Sequence, residues 1–452
     1  MVHTFTVRGD HFAFDSVTGA LHQLDEAALL VVERTKQNDG KVTDEDLLTP
    51  VGAAVASLIE EGELFSAERT FTTAELYPDA PKIKAMCLNL CHDCNLRCTY
   101  CFAGTGDYGG ARGLMSVDVG KKAIDFLIEA SGKRRNLDID FFGGEPLINW
   151  ETVKTLVYYC KQREAETGKK LRLTLTTNAT LIDADKAAFI NEHFVNVVLS
   201  IDGRQKIHDA VRPAVGGKSS YEKTVQGIRT LLDSRGDLAH HLRGTFTNLN
   251  LDFSEDIMHL ATLSPHVSIE PVVLPDEHPL ALQETHVERI LEEYERLAVM
   301  LDEREAAGEA VDFFHFRMDL DGGPCQYKRH KGCGVGTEYV AVTPDGDIYP
   351  CHQLVGEDVF RMGSVFSGID KGEVKDQFSE LLTAPPDACH TCFARPICGG
   401  GCAANRWHRS GDVRGDDDLG CRLLRRRAEL SLWLLARRID RETAAVLETA
   451  TN

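Results

Sequence analysis

Three cysteines stand close together in the run Cys94-Asn95-Leu96-Arg97-Cys98-Thr99-Tyr100-Cys101, a C-x₃-C-x₂-C pattern. Three thiolates at that spacing on one tight loop can hold three irons of a [4Fe–4S] cube. The fourth iron is then left without a protein ligand and open to a small molecule. A structural cluster normally takes four cysteines, so a set of three points to chemistry at the open iron. Zinc wants a fourth nearby ligand. Cys87, Cys91 and His92 lie near enough to supply one, which keeps a zinc or mixed site as the alternative. A disulfide framework is disfavoured, because nothing at the N-terminus reads as a signal peptide and the chain reads as cytoplasmic.

The run Cys94–Cys101, with the aromatic Tyr100 before its third cysteine, resembles the signature of the radical S-adenosylmethionine (SAM) superfamily. The resemblance implies that SAM chelates the open iron through its amino and carboxylate groups. It implies further that the reduced cluster splits SAM to methionine and a 5′-deoxyadenosyl radical, which abstracts a hydrogen atom. In such enzymes the cofactor does the hard chemistry, while the protein positions it and excludes water.

At 452 residues the chain is long enough for two or three domains. No segment approaches the ~18 unbroken apolar residues of a membrane span. The most apolar late stretch, Leu430 to Ala436, is flanked by arginines and reads as an amphipathic or core helix. Fifty Lys and Arg against 70 Asp and Glu leave a net charge of −20. That argues against nucleic acid as the main partner, since phosphate binding needs a basic face. It suits a soluble enzyme whose surface charge keeps it soluble, or one whose peptide partner carries basic residues. Of the 14 cysteines, five gather at Cys87, Cys91, Cys94, Cys98 and Cys101, and eight fill the last third. Clusters of that kind in a reducing compartment read as metal ligands. Cys87, Cys91 and the isolated Cys160 read by default as buried free thiols.

The fold class predicted is α/β in three parts. Over residues 1–75, Thr4–Val7, Phe12–Phe14 and Ala20–Leu24 alternate as short strands. Asp25 caps a helix running to about Gln37, and a second helical stretch ends near Gly62. This resembles the winged-helix-like precursor-recognition elements of ribosomal-peptide modification enzymes, where a leader peptide adds a strand to a sheet edge; a structural cap is the plainer reading. Over residues 80–310, six strands (Ile83–Leu88, Leu137–Phe142, Leu171–Thr176, Asn196–Ile201, Leu242–Thr247 and Val267–Val273) alternate with helical segments. The repetition implies a parallel sheet, open or curled into a partial barrel. Six units match the partial (β/α)₆ barrel of the superfamily, with functional loops at the C-terminal strand ends. Glu303–Ala310 reads as a boundary. Residues 320–452 read as a metal-stapled domain closed by a helix from about Leu423 to Ala445.

Phe142-Gly143-Gly144-Glu145-Pro146 follows the second strand. Paired glycines let backbone approach a ligand, and a carboxylate there can accept from an ammonium group. The motif resembles the superfamily's GGEP element, which holds the SAM amino group. Asn178 after the third strand, Ser200 and Asp202 at the end of the fourth, and Arg212 shortly after are the further candidates for the ribose hydroxyls and the methionyl carboxylate. For Arg212 the contact would be charge-assisted. Loop capping is the plainer reading of each.

The late cysteines resemble the SPASM domain, which carries two auxiliary [4Fe–4S] clusters, three with the first. The resemblance implies interleaved sets: Cys325, Cys333, Cys351 and Cys402 for the nearer cluster, and Cys389, Cys392, Cys398 and Cys421 for the farther. Cys325 sits in Gly322-Gly323-Pro324-Cys325. If it swings away, the nearer cluster opens a site for a substrate thiolate; otherwise it closes with four cysteines.

The stretches Cys91–Cys98, Cys101–Asp107, Gly332–Tyr339 and Tyr349–Gln353 most resemble the thioether-forming maturases of SCIFF-type peptides. This implies joining a cysteine sulfur to a carbon of another residue in the same cysteine-rich ribosomal peptide. The deoxyadenosyl radical takes a hydrogen from the acceptor carbon, the sulfur attacks, and an auxiliary cluster accepts the leftover electron. A flavodoxin- or ferredoxin-like reductant and a cysteine-rich precursor peptide, bound through its leader, are the implied partners. Alternatives are a maturase joining Cys to Asp or Glu in an enzyme subunit, and a sulfatase-maturase-like oxidation of Ser or Cys. The latter places an aspartate where this chain has His352, although an imidazole can act as base. An iron–sulfur redox protein and a peptide-binding chaperone are the non-catalytic readings.

Overall fold

The computed structural model describes residues 1–67, 72, 75, 82–317, 332–383 and 386–450, with the side chains of 382, 383 and 448–450 left aside. Cys325 lies outside the described residues.

The chain opens with three strands, β1 (Val2–Val7), β2 (Asp10–Asp15) and β3 (Leu21–Leu24), paired antiparallel in the order β1-β2-β3. Asp15 shapes the turn between the last two, its carboxylate accepting from Val17 N at 2.8 Å. Asp25 caps the helix Glu26–Gln37 by accepting from Ala28 N at 2.7 Å, as sequence predicts. A short helix, Asp44–Leu47, precedes the helix Pro50–Glu60. Period-two alternation gives this sheet two buried faces. Val2 and Ala13 pack with Val31, Val32, Val55 and Leu64 in a small core of their own. Phe5, Val7, Phe12 and Phe14 join the main core instead. Each such phenylalanine contributes on the order of 1.5–3 kcal/mol by burial, enough to hold the sheet on the rest of the protein. Two side chains fix its placement: Trp433 donates its indole N–H to Asp10 at 3.0 Å, and His3 stacks on Phe393 with centroids 3.6 Å apart.

The six predicted strands are present as β4 (Ala85–Asn89), β5 (Asn136–Phe142), β6 (Lys170–Thr177), β7 (Asn196–Ser200), β8 (Ala239–Phe246) and β9 (His266–Pro271), all parallel and adjacent in chain order. Two features go beyond the six. A short strand, β10 (Asp312–Phe313), adds in parallel to β9, and β11 (Tyr339–Val342) adds in parallel to the opposite edge, beside β4. Three strands, β12 (Asp347–Tyr349), β13 (Gly363–Ser364) and β14 (Gly368–Ile369), extend that edge antiparallel. The result is one open sheet of eleven strands, with no closure into a barrel among the described residues. The C-terminal third is therefore joined to the core through its backbone hydrogen bonds. Lys84 and Arg134 reinforce the seam, both paired to the buried Glu338 at 2.6 Å.

The strand alternation sets what the sheet offers on each face. Leu137, Ile139 and Phe141 of β5, and Leu171, Leu173 and Leu175 of β6, are buried in the main core with the helices Val117–Ala130 and Trp150–Thr167. The intervening positions are polar towards the C-terminal ends: Asp140, Thr176, Ser200, Arg243, Thr245 and Glu270 share the other face. A last helix, Asp418–Ala450, crosses back over the helix Val287–Ala306 and over β1. Among the described residues no helix is long and apolar enough to cross a membrane.

Helix Tyr221–Leu232 gives a test of this packing. Gly→Ala inside a helix normally stabilises by about 1 kcal/mol. At Gly227 the added carbon would stand 1.9 Å from the Ala179 carbonyl oxygen, and backbone cannot give way cheaply. Gly227→Ala is expected to lower stability by about 1–3 kcal/mol, read as an earlier midpoint in denaturant.

Candidate active site

The cysteine loop leaves the end of β4 and is pinned from three sides. Arg97 N donates to Pro213 O at 2.7 Å and Thr99 N to Val211 O at 2.9 Å, tying it to the segment after β7. Arg97 turns its guanidinium back onto the loop, donating to the carbonyls of Cys94 and Leu96 at 2.5 and 2.7 Å. On the third side lie the paired glycines. Gly144 N donates to Cys91 O and Glu145 N to Asp93 O, each at 2.9 Å. A Cβ on Gly144 would stand 2.0 Å from Asp93 O, and one on Gly143, whose φ is +135°, would stand 2.6 Å from Cys91 O. These glycines are demanded first by backbone against backbone, and only then by a ligand.

Cys94, Cys98 and Cys101 open together on a cavity of about 420 Å³ that Tyr100, Gly143, Gly144, Asn178, Ser200 and Arg212 also line. Among the described residues no three metal-ligating side chains converge tightly enough for a single ion. The space the three thiols face is larger than a single ion would fill. Burial pushes the Cys94 thiol up to about 12, with Glu145 adding to it, and the Cys98 thiol up to about 11 against the pull of Arg212.

Two candidate residues stand behind the wall. Glu145 is buried, and its carboxylate accepts from Thr177 Oγ1 and Asn178 N, both at 2.7 Å, and from Leu147 N at 3.1 Å. It ties the end of β5 to the end of β6. The cavity-facing groups of this motif are the two glycines. Asp202 is fully buried and accepts from Tyr100 Oη at 2.5 Å, Thr245 N at 3.0 Å and Arg212 Nη1 at 3.3 Å. Arg212 also donates to Tyr100 Oη at 2.8 Å. Its Nε is buried with no partner among the described residues. Asn178 donates to Asn95 Oδ1 at 2.9 Å and reaches Cys94 Sγ at 3.8 Å. Ser200 makes no side-chain hydrogen bond among the described residues.

The late cysteines fall into two groups. Cys402 and Cys333 lie near enough to Cys351 to disfavour its thiolate beyond what burial does. Cys389 and Cys392 act likewise on Cys398, and Cys398 and Cys389 on Cys421. Cys402 also lines the cavity. Cys87, Cys91 and Cys160 are buried, and Cys91 donates its S–H to Glu145 O at 3.0 Å. His352 lines the cavity. Its Nδ1 lies 2.8 Å from Tyr339 Oη, and burial takes its imidazole down to about 4. Arg243, Glu270, His315, Asn405, His408 and Arg427 complete the wall without any motif to announce them. The period-two pattern of β8 and β9 marks Arg243 and Glu270 as same-face polar positions; nothing local marks the others.

Residues 88–261 match the family model of the radical SAM superfamily. This chain carries a radical SAM domain. It is 27% identical over 38% of its length to the radical SAM cyclopropyl synthase TigE of Paramaledivibacter caminithermalis, spanning little more than a third of that relative. It is 26% identical over 70% of its length to a cysteine-type anaerobic sulfatase-maturating enzyme of Clostridium novyi, covering 86% of it. Streptococcus suis SuiB bound to its precursor peptide SuiA shares the fold, with a TM-score of 0.55 at 13% identity over 92% of this chain and 98% of that one.

The thiol environment predicts slow chemistry before any cluster is loaded. With Cys98 near 11 against about 8.5 for a free cysteine, its thiolate at pH 8 is about 200-fold scarcer than that of a free cysteine. In metal-free protein, iodoacetamide alkylation of Cys98, followed by peptide mass mapping, is expected to lag an exposed thiol by that factor, and that of Cys94, near 12, by about ten times more. It should rise about tenfold per pH unit.

Proposed function

We propose that this chain is a radical SAM maturase that forms an intramolecular thioether in a cysteine-rich ribosomally made peptide, joining a cysteine sulfur to a carbon of another residue. The observation that carries the reading is one cavity lined by Cys94, Cys98 and Cys101 together with Cys402 of the late cysteines. A [4Fe–4S] cluster and SAM fit the first end. Three thiols open there, the glycine pair leaves backbone exposed, and the Arg212 Nε lacks a partner. Bound there, the pair supplies a hydrogen-atom acceptor strong enough to attack an unactivated C–H bond.

The chain's own residues do the rest. Cys94, Cys98 and Cys101 would hold the first cluster, and Gly143 and Gly144 would meet the amino group of SAM. Arg212, oriented by Asp202 and Tyr100, would hold its carboxylate, and Ser200 and Asn178 its hydroxyls. Residues 320–452 would act as a SPASM domain, with Cys333, Cys351 and Cys402 on a nearer auxiliary cluster, completed by Cys325 or by a substrate thiolate. Cys389, Cys392, Cys398 and Cys421 would hold a farther one. Residues 1–75 would recognise the leader, which could add a strand beside β3 or β1. A flavodoxin- or ferredoxin-like protein would supply electrons, and the cytoplasm is the compartment that fits free thiols.

The test is anaerobic incubation of the reconstituted chain with SAM, reductant and a small cysteine-rich precursor peptide, read by mass spectrometry. Thioether formation is expected to remove two hydrogens, protect one cysteine from alkylation and release 5′-deoxyadenosine. Oxidation of a Ser or Cys to an aldehyde, with no new crosslink, would favour the sulfatase-maturase type of reaction instead. No deoxyadenosine from the loaded, reduced protein would overturn the catalytic reading.

Arg212→Lys keeps the charge but loses the fork that reaches both Asp202 and a second anion. It is expected to weaken SAM binding by about tenfold or more at unchanged iron content, measured by equilibrium dialysis.

A further inference from the structure

Arg427, on the last helix, lines the cavity. Its Nε is buried without a partner, and among the described residues its guanidinium makes no hydrogen bond and no ion pair. Its guanidinium carbon lies 5.9 Å from the centroid of the Tyr294 ring, at the limit of a cation–π contact. The wall beside it does not need its charge. Among the described residues that line the cavity Glu270 is the one carboxylate, and Arg243 already pairs with it at 2.6 Å while His315 stands 3.8 Å away. Burial works to raise the Glu270 carboxyl, but Arg243, then His315 and Arg427, outweigh it and hold it at about 2. Among the described lining residues one carboxylate therefore faces two guanidiniums; Asp140, behind the wall, also acts on Arg243 and not on Arg427, whose guanidinium is left without a hydrogen bond at a partly desolvated wall, where an unsatisfied ion is costly.

The surplus lies apart from the SAM end. Arg212 acts on Cys98 and Cys101 and is committed to Asp202 and Tyr100. Arg427 acts on Glu270, His315 and Tyr294. Its companions Cys402, Asn405 and His408 come from the same late stretch of the chain. The rest of the protein, at −20 overall, repels anions, so an anion that enters here is recognised locally.

We propose that Arg427 is a specificity-determining residue that binds a carboxylate of the peptide substrate inside this cavity. The carboxylate is that of an Asp or Glu side chain near the reacting cysteine, or the peptide's own C-terminus. Planar guanidinium and planar carboxylate match two donors to two acceptors, and binding restores charge balance beside Glu270. The proposal rests on the peptide-maturase reading for the identity of the ligand, and on Arg427's lack of an ion-pair partner for its chemistry.

Three capped probes of one sequence separate the sources: acetyl-Gly-Ala-Cys-Gly-Glu-Gly-amide, its Gln twin, and the Gln twin with a free C-terminal acid. Each is titrated into the reconstituted full chain with SAM bound, by calorimetry. Either acidic probe is expected to bind at least tenfold tighter than the neutral amide. The tighter of the two names the source. Arg427→Gln is expected to erase the preference and Arg427→Lys to keep part of it, with iron content and SAM binding as the check on folding. Equal binding of all three probes to the wild type, or a preference that survives Arg427→Gln, overturns the proposal. If that variant does not fold, the wild-type comparison decides. Release of 5′-deoxyadenosine on reduction of the same preparation separates the two readings. Release without a carboxylate preference sinks the Arg427 site alone. A preference without release keeps the site and sinks the catalytic reading.

Discussion

The contact on which the candidate site depends is backbone against backbone. Where β5 ends, Gly143 and Gly144 lie against Cys91 and Asp93 so closely that neither position has room for a Cβ. Two main-chain hydrogen bonds of 2.9 Å close the contact. Through it the cysteine loop inherits the rigidity of the parallel sheet, and Glu145, pinned by three donors, carries that rigidity on to β6. A loop held only by its side chains would lose the fixed arrangement of three sulfurs that a cluster requires.

Around this anchor the cavity is organised by charge. Asp202 is buried and makes its bonds to Tyr100, Arg212 and the Thr245 amide, so it positions groups that face the cavity rather than facing it. Glu270 plays a similar part for Arg243. The arginines that result differ in what they have left to give. Among the described residues Arg212 keeps one buried N–H without a partner at the cysteine end, and Arg427 makes no hydrogen bond with its fork at the other. Hydrogen-bond accounting thus separates a saturated side chain from one with donors to spare where burial alone would not.

The C-terminal third is stitched into the core sheet by β11, and the first three strands are pressed onto it by Phe5, Phe12, Phe14 and Trp433. The last helix touches both. It carries Cys421, Arg427, Glu429 and Trp433, and so spans the late cysteines, the cavity wall and the N-terminal sheet on one rigid element. His3 is tied to Glu429 at 2.9 Å and stacked on Phe393, next to Cys392.

Local information carried far in this chain. Spacing alone marked Cys94, Cys98 and Cys101, and short apolar runs alternating with helical segments placed six strands within a few residues of where they lie, because a strand of a parallel sheet covered by helices must be apolar over most of its length. The cap at Asp25 was legible because it depends on its own helix alone. Three things were not. The eighth parallel strand, Tyr339–Val342, pairs with a partner some 250 residues earlier, and no local pattern encodes which edge it joins. The partners that the carboxylates of Glu145 and Asp202 meet, Thr177 and Asn178 for one and Thr245 for the other, were not written in their own loops, since they depend on which donors the neighbouring strands present. Arg427 reads as one of many arginines on a charged helix. Only the packing of that helix beside Glu270, with Arg243 already in place, leaves it without a hydrogen bond or ion pair among the described residues. The sequence by itself determined the chemistry available and the order of the strands, because both follow from residue type and periodicity. Which of those groups face the same cavity, and which remain unsatisfied there, was decided by tertiary structure, because both depend on contacts between residues far apart in the chain.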